Sequence, residues 1–163
     1  MKRTVIAMVA LSALAGHLRP EPVSAQPARS QVEEGNRLYS EGRFDEAHQR
    51  YLEALLEDPE SPLIRFNDGN ALYQNQDFQR AMERYMEALE SEDPGLRNAA
   101  WYNLGNALYM EGDIAGAVLG YERALRLDGS HEDASANLEF VREQLADRQV
   151  RVGGTFSDVL DRF

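Results

Sequence analysis

Trp101-Tyr102-Asn103-Leu104-Gly105-Asn106-Ala107-Leu108-Tyr109, then Met110-Glu111-Gly112-Asp113, then Ile114 to Leu125, is the stretch from which the fold can be read. Trp101, Leu104, Leu108 and Tyr109 recur at helical spacing. A second helical set (Ile114, Ala117, Val118, Tyr121, Leu125) begins after the Glu-Gly-Asp break. The stretch predicts two amphipathic helices joined by a tight turn. Gly112 suits the left-handed backbone that ends the first helix, and Asp113 can accept a bond from the free amides that start the second.

The same pattern stands twice more upstream. Gly35-Asn36-Arg37-Leu38-Tyr39 returns 34 residues later as Gly69-Asn70-Ala71-Leu72-Tyr73, and 36 residues after that as Gly105 to Tyr109. Each glycine is followed by an alanine (Ala47, Ala81, Ala117), a tyrosine (Tyr51, Tyr85, Tyr121) and a further alanine (Ala54, Ala88, Ala124) at constant offsets. A period near 34 means helical pairs stacked in an array. Small residues at these places let paired helices approach closely while the aromatics fill the gaps, so the columns report stacking before function. Gly42 and Asp77 repeat the turn chemistry of Gly112 and Asp113. Ser61-Pro62 and Asp93-Pro94 read as a capping residue followed by proline in a first turn.

Beyond the third unit, Ser130-His131-Glu132-Asp133 is a capping-box signature, and residues 132–148 read as a closing helix. Asn137-Leu138 lies in register with Asn103-Leu104, and a polar-backed terminal helix would cover the open apolar end of the stack. Residues 149–154 read as a linker. Phe156, Val159, Leu160 and Phe163 then fall at i, i+3, i+4 and i+7, either as a short helix that docks on the array, a second copy or a partner, or as a frayed tail.

Composition narrows the functional classes. The 163 residues carry 17 Lys+Arg against 28 Asp+Glu, a formal charge of −11, and no cysteine. Disulfides, cysteine-based zinc sites, thiol nucleophiles and cysteine lipidation are excluded together. Nucleic acid and anionic membrane surfaces, which need dense basic patches, are poor partners for such a chain. At the start, Lys2 and Arg3, an apolar run from Val5 to Ala15 and the small residues of Val23-Ser24-Ala25 read as a signal peptide over residues 1–25, with an uncleaved anchor as the alternative. Cleavage would leave 14 arginines, no lysine and 27 acids, a charge of about −13. The expected product is exported, extracytoplasmic and free of the membrane after processing.

The units resemble tetratricopeptide repeats, whose succession of aromatic, Leu, Gly, then Ala, aromatic, Ala and Pro is met closely by Trp101, Leu104, Gly105, Ala117, Tyr121 and Ala124. Gln31 and Arg65 stand in the Trp place of the first two units, and Gly129 where proline is usual in the third. The resemblance implies an all-α, right-handed solenoid of three repeats within residues 26–131 (about 28–61, 62–95 and 98–131) plus the closing helix. It also implies that first helices line a concave groove, where Asn36, Tyr39, Phe66, Asn67, Asn70, Tyr73, Tyr102, Asn103, Asn106 and Tyr109 are the candidate partner-binding residues. Asparagine amides could hold an extended peptide backbone and tyrosines add apolar contact; the same side chains would equally serve as bonds between helices. Some members clamp a partner's carboxylate with asparagine and cations. Asn36 and Asn67 have the asparagine places here, but Val32, Ala99 and Asn103 stand where the cations would be, so a neutral or basic peptide is expected.

An enzymatic reading finds little support. After processing the histidines are His48, within an Ala- and Tyr-rich helix, and His131, beside Glu132 and Asp133 at a helix start, where a solvated cap is the simpler reading than a metal site. No phosphate loop or nucleophile, base and acid arrangement is present, and no cofactor is expected. The layout of signal peptide, three repeats and closing Ala-Asn-Leu-Glu-Phe-Val-Arg-Glu helix is similar to the tetratricopeptide proteins of bacterial Bat (aerotolerance) operons. That likeness implies a periplasmic adaptor for membrane-anchored von Willebrand A-domain proteins. A scaffold for envelope or cell-wall machinery is the alternative, and a small accessory hydrolase the remote one. Self-association through the C-terminal segment is also open.

Overall fold

A computed structural model describes residues 25–152, with side chains over residues 28–146. Residues 1–24, all but the last of the segment expected as a signal peptide, and the tail positions Phe156, Val159, Leu160 and Phe163 lie outside the described residues. Within them the chain forms α1 (Ala25–Ser40), α2 (Phe44–Glu57), α3 (Pro62–Gln74), α4 (Phe78–Ala88), α5 (Pro94–Met110), α6 (Ile114–Leu127) and α7 (Glu132–Val152), with no strand among the described residues. Consecutive helices pack against one another, and α1 also touches α3, which touches α5. The chain is an all-α solenoid of three helix pairs closed by α7, with first helices gathered on the inner side.

The recurrent columns are the contacts that build each pair. A Cβ placed on Gly35, Gly69 or Gly105 would lie 2.6, 2.8 and 2.8 Å from Cε1 of Tyr51, Tyr85 and Tyr121, so each glycine seats the tyrosine of its own unit. Those tyrosines are among the largest fully buried side chains, and Ala47, Ala54, Ala81, Ala88, Ala117 and Ala124 beside them are wholly buried. The apolar core forms two clusters. One is built on Leu38, Tyr51, Ile64 and Ala71; the other runs from Leu72 and Tyr85 through Leu104 and Tyr121 to Leu138 and Val141.

Helix ends follow the sequence in most places. Gly42 and Gly112 adopt φ of 76° and 84°. Asp77, Asp93 and Asp113 accept from the backbone amides of Arg80, Gly95 and Gly116. Three ends differ. Ser61 precedes Pro62 in extended backbone, but its hydroxyl makes no cap bond. The cap of α7 is His131, whose Nδ1 accepts from Ala134 N–H at 3.3 Å, because the Ser130 hydroxyl turns back to Asp128 at 2.6 Å. And α7 runs through Val152, so residues 149–152, expected as the start of a linker, continue the helix. The second unit makes its turn with Gln76 at φ 63°, where its siblings use glycine.

Candidate functional site

The inner face is organised by a ladder of asparagines anchored on the buried tyrosines. Tyr51, Tyr85 and Tyr121 donate their hydroxyls to Oδ1 of Asn36, Asn70 and Asn106 at 2.8, 2.9 and 2.8 Å. Each of those oxygens also accepts from the next unit: Asn67 Nδ2 to Asn36 at 3.4 Å, Asn103 to Asn70 at 2.8 Å, and Asn137 to Asn106 at 3.2 Å. Both lone pairs of each carbonyl are thus spent on stacking. Burial pushes the Tyr51 hydroxyl up to about 12 and raises Tyr85 and Tyr121 further, so all three stay protonated donors at neutral pH.

The opposite ends of the amides stay available. Nδ2 of Asn36, Asn70 and Asn106 and Oδ1 of Asn67, Asn103 and Asn137 hold no hydrogen-bond partner among the described residues. They border three adjoining hollows. The first, of about 210 Å³, is lined by Asn36, Tyr39, Tyr51, Asn67 and Asn70. The second, of about 270 Å³, adds Tyr73, Gln74, Tyr85, Asn103 and Asn106. The third, of about 190 Å³, adds Tyr109, Tyr121, Asn137, Phe140 and Val141. Shared walls at Asn70 and Tyr39, then at Tyr73 and Asn106, make them one trough along the solenoid. No residue lining it carries a formal charge.

Asn36, Tyr39, Asn67, Asn70, Tyr73, Asn103, Asn106 and Tyr109 all line this trough. Phe66 and Tyr102 sit otherwise. Both are half-buried, Phe66 against the Tyr85 ring (5.9 Å between centroids) and Tyr102 between Tyr121 (6.0 Å) and His131 (4.6 Å). Gln74, Asn137 and Phe140 complete the lining without having been singled out; the register of Asn137 with Asn103 was the signal that could have found it. Where cations would serve a carboxylate clamp, Val32 packs on the first core cluster and Asn103 is tied to Asn70.

A second polar group lies between the first two units. His48 Nδ1 donates to Oδ1 of Asp68, which is wholly buried, and Arg84 Nε donates to Oδ2 at 2.8 Å. His48 Nε2 lies 3.5 Å from Arg80 Nη1, which suits the tautomer with its hydrogen on Nδ1. No group of three or more His, Cys, Asp or Glu suited to a metal occurs among the described residues, and no described helix is long and apolar enough to cross a membrane.

A family model described as tetratricopeptide repeat matches residues 32–97 and 69–135. Among solved structures, the chain is similar to the first such domain of Spaghetti (RPAP3) bound to the HSP90 peptide SRMEEVD, at 25% identity and TM-score 0.71, covering 75% of this chain and 95% of that one. It is similar in fold to the Sgt2 domain from Aspergillus fumigatus, at 22% identity and TM-score 0.69, covering 78% and 84%. The second domain of human RPAP3, in complex with the HSP70 peptide SGPTIEEVD, gives 21% identity and TM-score 0.68, covering 73% and 98%. No curated protein sequence matches the chain.

Proposed function

The chain belongs to the tetratricopeptide repeat family, and from that premise we propose that it is a protein-interaction adaptor holding an extended, uncharged peptide segment in its inner trough. The observation that carries this is the asparagine ladder, in which Oδ1 of Asn36, Asn70 and Asn106 and Nδ2 of Asn67, Asn103 and Asn137 serve the stacking while the opposite ends of the amides leave donors and acceptors alternating along an uncharged wall. An extended backbone offers the complementary alternation, and Tyr39, Tyr73 and Tyr109 supply apolar contact at small entropic cost. Acidic tails such as the HSP90 peptide seen on the RPAP3 domain would meet no cation in the trough. The test is isothermal titration with SRMEEVD and with its Gln-for-Glu, amidated counterpart. The counterpart, stripped of three of its four negative charges, should bind at least about tenfold tighter; equal or reversed affinity sinks the reading.

We further propose that this adaptor works outside the cytoplasm in a Bat-type complex with membrane-anchored von Willebrand A-domain proteins. Support comes from the order of segments in the sequence: a signal-peptide pattern, three Gly-Asn-Ala-Leu-Tyr-type repeats, then a closing helix. Co-purification from an envelope extract tests it, and a partner set without any A-domain protein removes it.

A further inference from the structure

The outer face of the solenoid differs from unit to unit in a way the fold does not require. Aligning the units on their shared columns places Leu56, Glu90 and Arg126 at one position and Leu52, Met86 and Glu122 at another. The third unit carries charge at both places and the second at one, its other being Met86 at 44% exposure, whereas the first holds leucine at both, with Leu56 81% exposed. Leu52, Leu55, Leu56 and Pro59 form one wall of an outer groove of about 500 Å³ that Arg65 and Arg84 complete.

The groove exists because of two substitutions in the repeat pattern. The place of Arg65 is held in the third unit by Trp101, which packs against the core, and the place of Arg84 by Gly120. At the later position an indole packed on the core stands where Arg65 stands here. The two guanidinium groups are held in position: Arg84 by Asp68 and Glu87, both at 2.8 Å, and Arg65 by the Pro59 carbonyl at 2.6 Å. Fixed, planar guanidinium groups are good surfaces for an aromatic ring. Glu53 lines the groove, Glu60, Glu87 and Glu90 lie within 3.9 Å of Arg65, and Glu57 and Asp58 are neighbours in sequence, so acids outnumber Arg50, Arg65 and Arg84.

We propose that this outer groove is a docking site, separate from the inner trough, for a partner helix that presents one large aromatic side chain flanked by lysine or arginine. The aromatic ring enters the groove against Arg65 and Arg84, walled by Leu52, Leu55 and Leu56. The basic flanks meet the acidic rim. Charge complementarity selects this occupant over a second copy, since the chain itself is at −11, and over its own tail, where Asp158 and Asp161 outnumber Arg162.

The test uses the full chain and a synthetic amphipathic helix carrying one Trp among Leu and Lys, with two counterparts, Trp→Ala and all Lys→Glu, measured by fluorescence anisotropy. The parent peptide should bind at least about tenfold tighter than either counterpart. Leu56→Arg, which takes the residue of the third unit at an exposed place, and Arg65→Trp, which fills the groove from within, should each weaken it by about tenfold or more. The Leu56→Arg protein should melt within about 2 °C of the parent. Tyr73→Ala with Asn103→Ala, in the inner trough, should leave this binding unchanged. The proposal is overturned if no peptide binds, if the acidic counterpart binds equally, or if neither groove variant weakens binding. Loss through the trough variant alone overturns it too, as does a parent protein whose solution mass exceeds that of Leu56→Arg, which would name a second copy as the occupant.

Discussion

Where α2 meets α3, His48 faces Asp68; at the equivalent places where α6 meets α7 stand Val118 and Leu138, and between α4 and α5 stand Met82 and Leu104. One helix geometry thus accommodates a buried charge network at the first junction and hydrocarbon at the later ones. The apolar core divides within α3, the helix that carries Asp68: Ile64 and Ala71 belong to the cluster of the first unit, and the other runs from Leu72 to the cap. Asp68 is fully satisfied, each oxygen having a partner, so the network costs little once complete. Breaking it is another matter.

The largest effect is therefore expected from turning one half of the first junction into the later kind. Asp68→Leu alone should destabilise by about 3–5 kcal/mol, because His48 and Arg84 lose their shared acceptor inside the protein. Adding His48→Met, which installs the Met82 and Leu104 pair, should recover most of that loss in urea unfolding, since a well-packed apolar pair often equals or exceeds a buried ionic one. A double variant as unstable as the single one would show that the first junction cannot adopt the later chemistry.

The junctions also differ in how closely helices approach. At Gly120 an added Cβ would lie 2.7 Å from the Gly105 Cα, a backbone atom, whereas at Gly105 it would meet the Tyr121 ring at 2.8 Å. In the first two units the place of Gly120 holds Arg50 and Arg84, so the third pair is drawn closer than its siblings. Gly120→Ala is expected to cost about 3 kcal/mol, and Gly35→Ala, where only the Tyr51 ring must shift, about 1–2 kcal/mol, both read from thermal unfolding. Equal costs would mean that the third pair has no closer contact to protect.

The buried tyrosines turn the same comparison into a pH experiment. Their folded pKa values are raised by desolvation above the unfolded value of 10.0, Tyr51 to about 12 and Tyr85 and Tyr121 beyond it. A raised pKa means the folded state holds the proton more tightly, so this stabilisation is complete below pH 10 and lost as pH rises through the folded value. The first unit should therefore ionise and loosen before the others, near pH 12, seen as tyrosinate absorbance preceding the loss of helical dichroism. Tyr51→Phe should remove the earlier phase and lower neutral-pH stability by about 1 kcal/mol through the lost bond to Asn36. A single phase unaffected by that change would contradict the ordering.

The columns of Gly, Ala and Tyr made the helix pairs legible because each column is a contact repeated in every unit. The asparagines were legible as well, but with two readings, and the structure bears on both: Asn36, Asn70 and Asn106 put the carbonyl in the stack and the amide toward the trough, and Asn67, Asn103 and Asn137 the reverse. Phe66, expected on the groove surface as a first-helix position, has its ring 5.9 Å from that of Tyr85. The charged junction stayed hidden because it is a departure from the columns. Asp68 falls where the later units have leucine, and its burial becomes visible only once α2 and α3 are known to bring His48 to it. The cap of α7 moved by one residue for a local reason, since Asp128 captures the Ser130 hydroxyl that the capping pattern would have used.

The smallest expected effect lies in the turns. Gly42, Gln76 and Gly112 occupy one place, and their amides donate to Tyr39, Tyr73 and Tyr109 at 3.0, 2.9 and 2.9 Å, so the three backbones are alike. At φ 63° Gln76 bears the left-handed strain that glycine avoids, roughly 1 kcal/mol, and its exposed side chain makes no hydrogen bond among the described residues to offset it. Gln76→Gly should relieve that strain while adding freedom to the unfolded chain, for a net gain of about 0.5 kcal/mol. The reverse change, Gly112→Gln, should lose a similar amount, so the pair of melting curves ought to move in opposite directions. If Gln76→Gly instead lowers the melting temperature, the glutamine is holding the second turn in some way that its siblings do without, and the turns would join the junctions as places where the units differ in more than sequence.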